Sequence, residues 1–115
     1  MKPKFQADAD IDPDIVRGLF RVKPSIDFQA AAGVIADGTA DPEVLRIAAG
    51  HGRVLVSGDV NTMPVHFRRF IAEGHSPGVL LIPPRRSIGA AIDGLLLAWV
   101  RWSAEDMRNQ IRWLP

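Results

Sequence analysis

Short apolar runs bounded by turn residues alternate with helix-start signals along the whole chain, and this alternation restricts its fold more than any other feature. Two helix starts carry the same signal, Asp12-Pro13 and Asp41-Pro42. An Asp accepts hydrogen bonds from free backbone N–H groups, and Pro fits the first helical position, where no N–H is needed. After the first signal Ile15, Val16, Leu19 and Phe20 recur at helical spacing as far as Lys23-Pro24. After the second, Val44, Leu45 and Ala48 supply a buried face before Gly50-His51-Gly52. Between and around these helices lie strand patterns. Phe5 and Ala7 share one face of a first strand, Lys4 to Asp8, while Val54-Leu55-Val56 and Gly78 to Ile82 are apolar enough for buried strands. Ile26 to Ala30 predicts a short further strand, followed by a loop rich in Ala, Gly and Asp.

The second half continues the pattern. A helix over 64–73 buries Phe67, Phe70 and Ile71 and stops at Gly74. A longer helix starts at Ser87 and carries a stripe through Ile88, Ala91, Ile92, Leu95, Trp99 and Trp102. Ser103 with Asp106 resembles a capping box, and Ile111 with Trp113 suggests a final edge strand. No repeat, low-complexity segment or long linker divides the chain. The expectation is one α/β domain over residues 1–115, three layers deep, with a mainly parallel twisted sheet of about four to five strands and helices on both faces.

Composition narrows the function classes. Apolar residues make up 47% and charged residues 23% of the 115 positions, as in an ordinary globular domain. The absence of cysteine excludes a disulfide or a thiolate-bound metal. The most apolar stretch, Gly89 to Val100, contains Asp93 and is too short to span a bilayer, so a soluble, cytoplasmic protein without a membrane partner is expected. Residues 1–62 carry 7 basic and 9 acidic side chains, and residues 63–115 carry 7 and 4. That asymmetry suits an acidic metal site beside an anion-binding rim, or else scattered surface charge.

The acids concentrate where the strands end. Asp8 and Asp10 are two apart, so a strand continuing through both would aim them to one side, a repulsive arrangement unless a cation lies between them. The alternative is a pair of solvated strand-end acids. Asp59 and Asn61 offer a carboxylate and an amide oxygen from the turn after Val54-Leu55-Val56, although Gly, Asp and Asn are also ordinary turn residues. Asp41 is explained by helix capping alone and gains a site role only in combination with Asp8 and Asp59. An oxygen-only set of this kind points to Mg²⁺ or Mn²⁺. His51, His66 and His75 show no paired ligand spacing, and His66 is placed to approach the site or to face solvent. No GxSxG, GxxxxGK or GxGxxG motif is present. Arg68-Arg69 and Arg85-Arg86 are candidates for holding an RNA phosphate backbone, or are simply solvated.

Together the segments FQADADIDPDIVRGL, TADPEVLRIAAGHGRVLVSGDVN and GVLLIP, with the closing IRWLP, resemble the small PIN-like family related to toxin–antitoxin ribonucleases. Members open with a strand ending in LDEN or ADED, continue through a helix introduced by Asp, and reach a strand ending in TRDxDF. Asp8, Asp10, Asp41 and Asp59 match that pattern; Ser57-Gly58 replaces the usual Thr-Arg pair, and Asn61 stands where the family has an acid. The resemblance implies a Mg²⁺- or Mn²⁺-dependent endoribonuclease that cleaves RNA phosphodiesters, the toxin of a toxin–antitoxin pair, with an antitoxin protein as partner. It implies Asp8, Asp41 and Asp59 as catalytic metal ligands, with Asp10 and Asn61 as secondary ones. The stripe bearing Leu95, Leu96 and Leu97 suggests a homodimer, or further core. The competing reading is a PIN-like module that has lost catalysis and serves in binding or assembly. A phosphatase-like or receiver-like domain using the same acids lacks a strand-end Lys.

Overall fold

Alternation within the strands decides which side of the sheet each apolar residue joins. The computed structural model describes residues 1–115. Its elements follow in the order β1 (Phe5–Ala7), α1 (Pro13–Val22), β2 (Phe28–Gln29), α2 (Asp41–Gly50), β3 (Val54–Ser57), α3 (Met63–Glu73), β4 (Val79–Leu81), α4 (Ile88–Arg101), α5 (Ala104–Met107) and β5 (Ile111–Trp113). The strands form one five-stranded sheet in the order β2-β1-β3-β4-β5, and every neighbouring pair is parallel. On one face Phe5, Val54, Val56 and Leu80 meet Leu19 of α1 and Leu95 of α4. On the other, Leu55, Val79 and Leu81 meet Val44 of α2 and Phe67 of α3. The result is the expected three-layer α/β domain.

Local chemistry accounts for the element ends. Asp12 caps α1 by accepting from Asp14 N at 2.9 Å, and Ser87 caps α4 by accepting from Ala90 N at 3.1 Å. The capping box of α5 is complete, with Ser103 and Asp106 each accepting from the other's backbone N–H. One expectation is corrected. The second strand is only two residues long, because the chain turns directly after it, where Val34 N and Ile35 N both donate to Ala31 O at 2.8 Å. Phe20, which shares helical spacing with Ile15, Val16 and Leu19, is 42% exposed, because the buried stripe of α1 is confined to those three. Of the three consecutive leucines of α4, Leu95 is core, Leu96 is half-buried against it and Leu97 is 51% exposed.

No helix is long and apolar enough to cross a membrane.

Candidate functional site

Parallel strands bring all their carboxyl ends to one edge of the sheet, and a ligand crevice forms there where successive connections diverge. The chain leaves β1 for β2 on one side, then returns to lay β3 on β1's other side, so the divergence lies between β1 and β3. Asp8 and Asp10 follow β1, Asp59 follows β3, and Asp41 opens α2. These four acids, joined by Asp37, line one cleft of about 380 Å³ that contains no Lys, Arg or His among its lining residues.

Asp8 is the anchored member. Its residue is 7% exposed, and its two oxygens accept from Ala9 N at 2.7 Å and from the Ser57 hydroxyl at 2.8 Å. Ser57 is fully buried at the end of β3, and its Oγ also accepts from Asp59 N at 3.1 Å. One hydroxyl therefore locks the end of β1 to the turn that carries Asp59.

Asp10 arrives by a different route from the one alternation suggests. Strand β1 ends at Ala7, and a turn brings Asp10 back so that its carboxylate accepts from Gly58 N at 3.1 and 3.3 Å. A Cβ at Gly58 would lie 3.1 Å from Asp10 Oδ2, so the residue without a side chain leaves this approach free. Partial loss of water around Asp10, then the negative charge of Asp8 and, more weakly, of Asp59, push its pKa up; the Gly58 N–H opposes them.

Asp41 is not a cap. The N-cap of α2 is Ala40, no side chain caps that helix, and Asp41 instead turns toward Asp59. Thr62 Oγ1 sits between the two acids, 2.8 Å from Asp41 Oδ2 and 2.5 Å from Asp59 Oδ2. A hydroxyl carries one proton and can donate to only one of them. The pair meets that shortfall by splitting its affinity for protons. Partial burial and the bond to Asp59 raise the pKa of Asp41, while the Thr62 hydroxyl above all lowers that of Asp59.

The sequence reading assigned the second oxygen of this turn to Asn61. Asn61 is exposed and does not line the cleft. Asp59 Oδ1 accepts from Thr62 N at 3.2 Å, which tightens the turn so that residue 62 meets Asp41. The Asp-x-x-Thr spacing at a helix start was the available signal for Thr62. Asp37 was also missed; it follows Ala36 and precedes Gly38, whose φ of +80° turns the loop back toward α2.

The basic rim is smaller than expected. Arg69, with His66, Phe70, Glu73 and Pro42, lines a separate cavity of about 280 Å³ beside the start of α2. His66 lies near enough to Asp41 and Asp59 that a charge on its ring favours the ionised forms of both. Arg68 and Arg85 line neither cavity. Arg86 is occupied elsewhere, its Nη1 donating to Pro115 O at 2.7 Å.

The carboxylates share a basin without converging on one point. No three His, Asp or Glu side chains are grouped closely enough, as they stand, to hold one metal ion. The acids are drawn to separate protein groups: Asp8 to Ser57, Asp10 to Gly58, and Asp41 and Asp59 jointly to Thr62. The donor set is nonetheless oxygen only, which fits a hard divalent cation and not zinc or copper. Compared with protein family models, curated proteins and solved structures, the chain matches none of them.

Proposed function

We propose that this chain is a PIN-like, Mg²⁺- or Mn²⁺-dependent endoribonuclease, the toxin of a toxin–antitoxin pair. The observation that carries the reading is a cleft lined by five acids and no base, two of whose acids, Asp41 and Asp59, share the Thr62 hydroxyl. Two carboxylates competing for one hydroxyl proton leave negative charge that a cation would satisfy, and an acidic cleft repels a phosphodiester unless a cation is present. Asp8, Asp41 and Asp59 would hold the ion, with Asp10 acting through water, since Mg²⁺ usually keeps several of its waters. Such an ion supplies a water of lowered pKa and positive charge beside the scissile phosphate.

The chain's own residues have separate tasks. Ser57 orients Asp8 and the turn of Asp59 at the same time. Gly58 N–H restrains Asp10 at the mouth of the cleft. Thr62 holds Asp41 and Asp59 on opposite sides of one hydroxyl, keeping both poised to exchange it for a cation. His66 and Arg69, beside the start of α2, offer positive charge to the RNA strand as it leaves the cleft. Arg68, Arg85 and Arg86 are weaker candidates for RNA contact. The reading includes a cytoplasmic location, an antitoxin partner and a homodimer; Leu97 and Val100, 51% and 67% exposed on α4, are the apolar surface that favours a protein partner.

Thermal unfolding with and without Mn²⁺ tests the site before any RNA substrate is known. Saturation at a hundredfold over the dissociation constant should stabilise the wild type by about 2.7 kcal/mol, roughly 11 °C for a chain of this length. Asp59→Asn should remove that shift. RNA cleavage, once found, should disappear in Asp8→Asn and Asp59→Asn while both variants stay folded. A wild type whose midpoint ignores both Mn²⁺ and Mg²⁺ would overturn the nuclease reading and leave the degenerate binding module in its place.

A further inference from the structure

The opposite edge of the sheet, where the strands begin, carries a second cavity of about 300 Å³. Lys4 precedes β1, Gly52 precedes β3, His75 and Ser76 precede β4, and Arg108 precedes β5, and all five residues line it. No acid does. Neither Lys4 nor Arg108 takes part in any ion pair of the chain. Of the acids on neighbouring segments, Asp27 pairs with Arg53 at 2.6 Å, Glu105 with the N-terminal ammonium at 3.6 Å, Asp106 belongs to the α5 capping box, and Glu73 lines the separate cavity beside α2.

Asn109 does not line this cavity but braces two residues that do, His75 and Ser76. It adopts φ +58°, a conformation that Asn tolerates better than most residues. Its N–H donates to Ser76 O at 2.9 Å, its Oδ1 accepts from Ser76 N at 2.8 Å, and its Nδ2 lies 3.2 Å from His75 Nδ1. With Oδ1 committed to an N–H, Nδ2 is the donor and His75 Nδ1 the acceptor. The imidazole proton is thereby placed on Nε2. Ser76 is only 4% exposed; its Oγ accepts from Gly78 N at 3.0 Å, and its own proton has no acceptor in the protein. Gly78, at φ +117°, lets this segment press against the chain before β5, for a Cβ there would lie 2.2 Å from Met107 O. Ser76 and Arg108 are thus held in fixed relation.

A cavity with two unpaired cations, an imidazole N–H and a buried hydroxyl proton lacking an acceptor is a set of donors without an acceptor. We propose that it binds the phosphate group of a small phosphorylated molecule. A phosphate monoester carries close to two negative charges and three strong acceptor oxygens, which matches Lys4, Arg108 and the two neutral donors. A carboxylate, with one charge and two oxygens, would leave donors unused. The volume is at the lower end of small-molecule sites and admits a phosphate with a sugar-sized body. The site lies at the far edge of the sheet from the acidic cleft and does not depend on the nuclease reading.

The test is a titration of the ¹⁵N-labelled full chain, at constant ionic strength, with inorganic phosphate, with ribose 5-phosphate and with chloride as control. Phosphate-bearing probes should produce saturable amide shifts at Gly52, Ser76 and Asn109, unchanged in Asp59→Asn. Lys4→Ala and Arg108→Ala alter exposed side chains, so the fold is retained, and each should weaken binding about tenfold. Tighter binding of ribose 5-phosphate identifies an organic ester as the ligand, and equal binding identifies free phosphate. Shifts that do not saturate, that chloride reproduces, or that persist unchanged in both alanine variants would overturn the proposal.

Discussion

Replacing Ser57 by Ala removes one oxygen from a fully buried position and should loosen the acidic cleft at two points together. The hydroxyl donates to Asp8 Oδ2 at 2.8 Å and accepts from Asp59 N at 3.1 Å. A hydrogen bond to an ionised acceptor contributes about 1.5–3 kcal/mol, and the buried carboxylate left short of a donor finds little water to replace it. Taking about 2 kcal/mol, and an unfolding entropy near 2.1 cal/mol/K per residue, the midpoint should fall by roughly 8 °C. The assay is urea and thermal unfolding of the metal-free protein at pH 7, with the m-value as a check that the unfolded state has not changed. In an Asp8→Ala background the same Ser57→Ala change should lose most of its effect, giving a coupling energy of about 1 kcal/mol or more. Purely additive effects, or a Ser57→Ala loss below about 0.5 kcal/mol, would refute the view that Ser57 holds Asp8 in place.

Three further predictions use the same unfolding measurements. Gly94→Ala should destabilise by about 1–3 kcal/mol, since the new Cβ would lie 2.7 Å from Leu114 Cγ and 2.9 Å from Pro115 O, the latter a backbone atom at the chain's last residue. Gly18→Ala should be tolerated or stabilising by up to about 1 kcal/mol, because the only atom approached below 3 Å is Ile92 Cδ1, the end of a flexible side chain, and Ala favours the helix; equal losses at the two positions would contradict this. Asp10→Asn should raise the midpoint of the metal-free protein at pH 7. The raised pKa of Asp10 means that the folded state prefers its neutral form, so its contribution to stability is present at low pH and is lost as pH rises through the folded value. The advantage of Asn should therefore shrink toward pH 4, and a midpoint that falls at pH 7 would count against loss of water and repulsion as the cause.

Where chain chemistry is local, the sequence was sufficient. Val54-Leu55-Val56 could hardly be other than a buried strand, and the caps at Asp12, Ser87 and Ser103 depend on groups within three residues of one another. The second Asp-Pro signal shows the limit of the same logic. Asp12 caps its helix, whereas Asp41, in an identical dipeptide, lies one position inside its helix and turns to Thr62. Nothing within three residues distinguishes the two; what differs is that β3 and its following turn stand beside α2. Phe20 illustrates the point for packing, since its spacing fits the apolar stripe of α1 yet it remains 42% exposed.

Periodicity and turn chemistry thus determined that the chain alternates strand and helix, that its strands run parallel beneath helices on both faces, and that acids gather at strand ends. Those patterns act over a few residues and are written directly in the order of side chains. Tertiary structure alone decided which acids meet. Asp8 finds Ser57 across 49 positions of chain, Asp10 finds Gly58 across 48, and Asp41 finds Thr62 across 21. It also decided that Asp37 joins the cleft and that Thr62 bridges Asp41 and Asp59 while Asn61 stays outside, and that Lys4, Ser76 and Arg108 gather at the other edge. Such meetings depend on the strand order β2-β1-β3-β4-β5, which is set by how whole faces pack against one another and has no local signature.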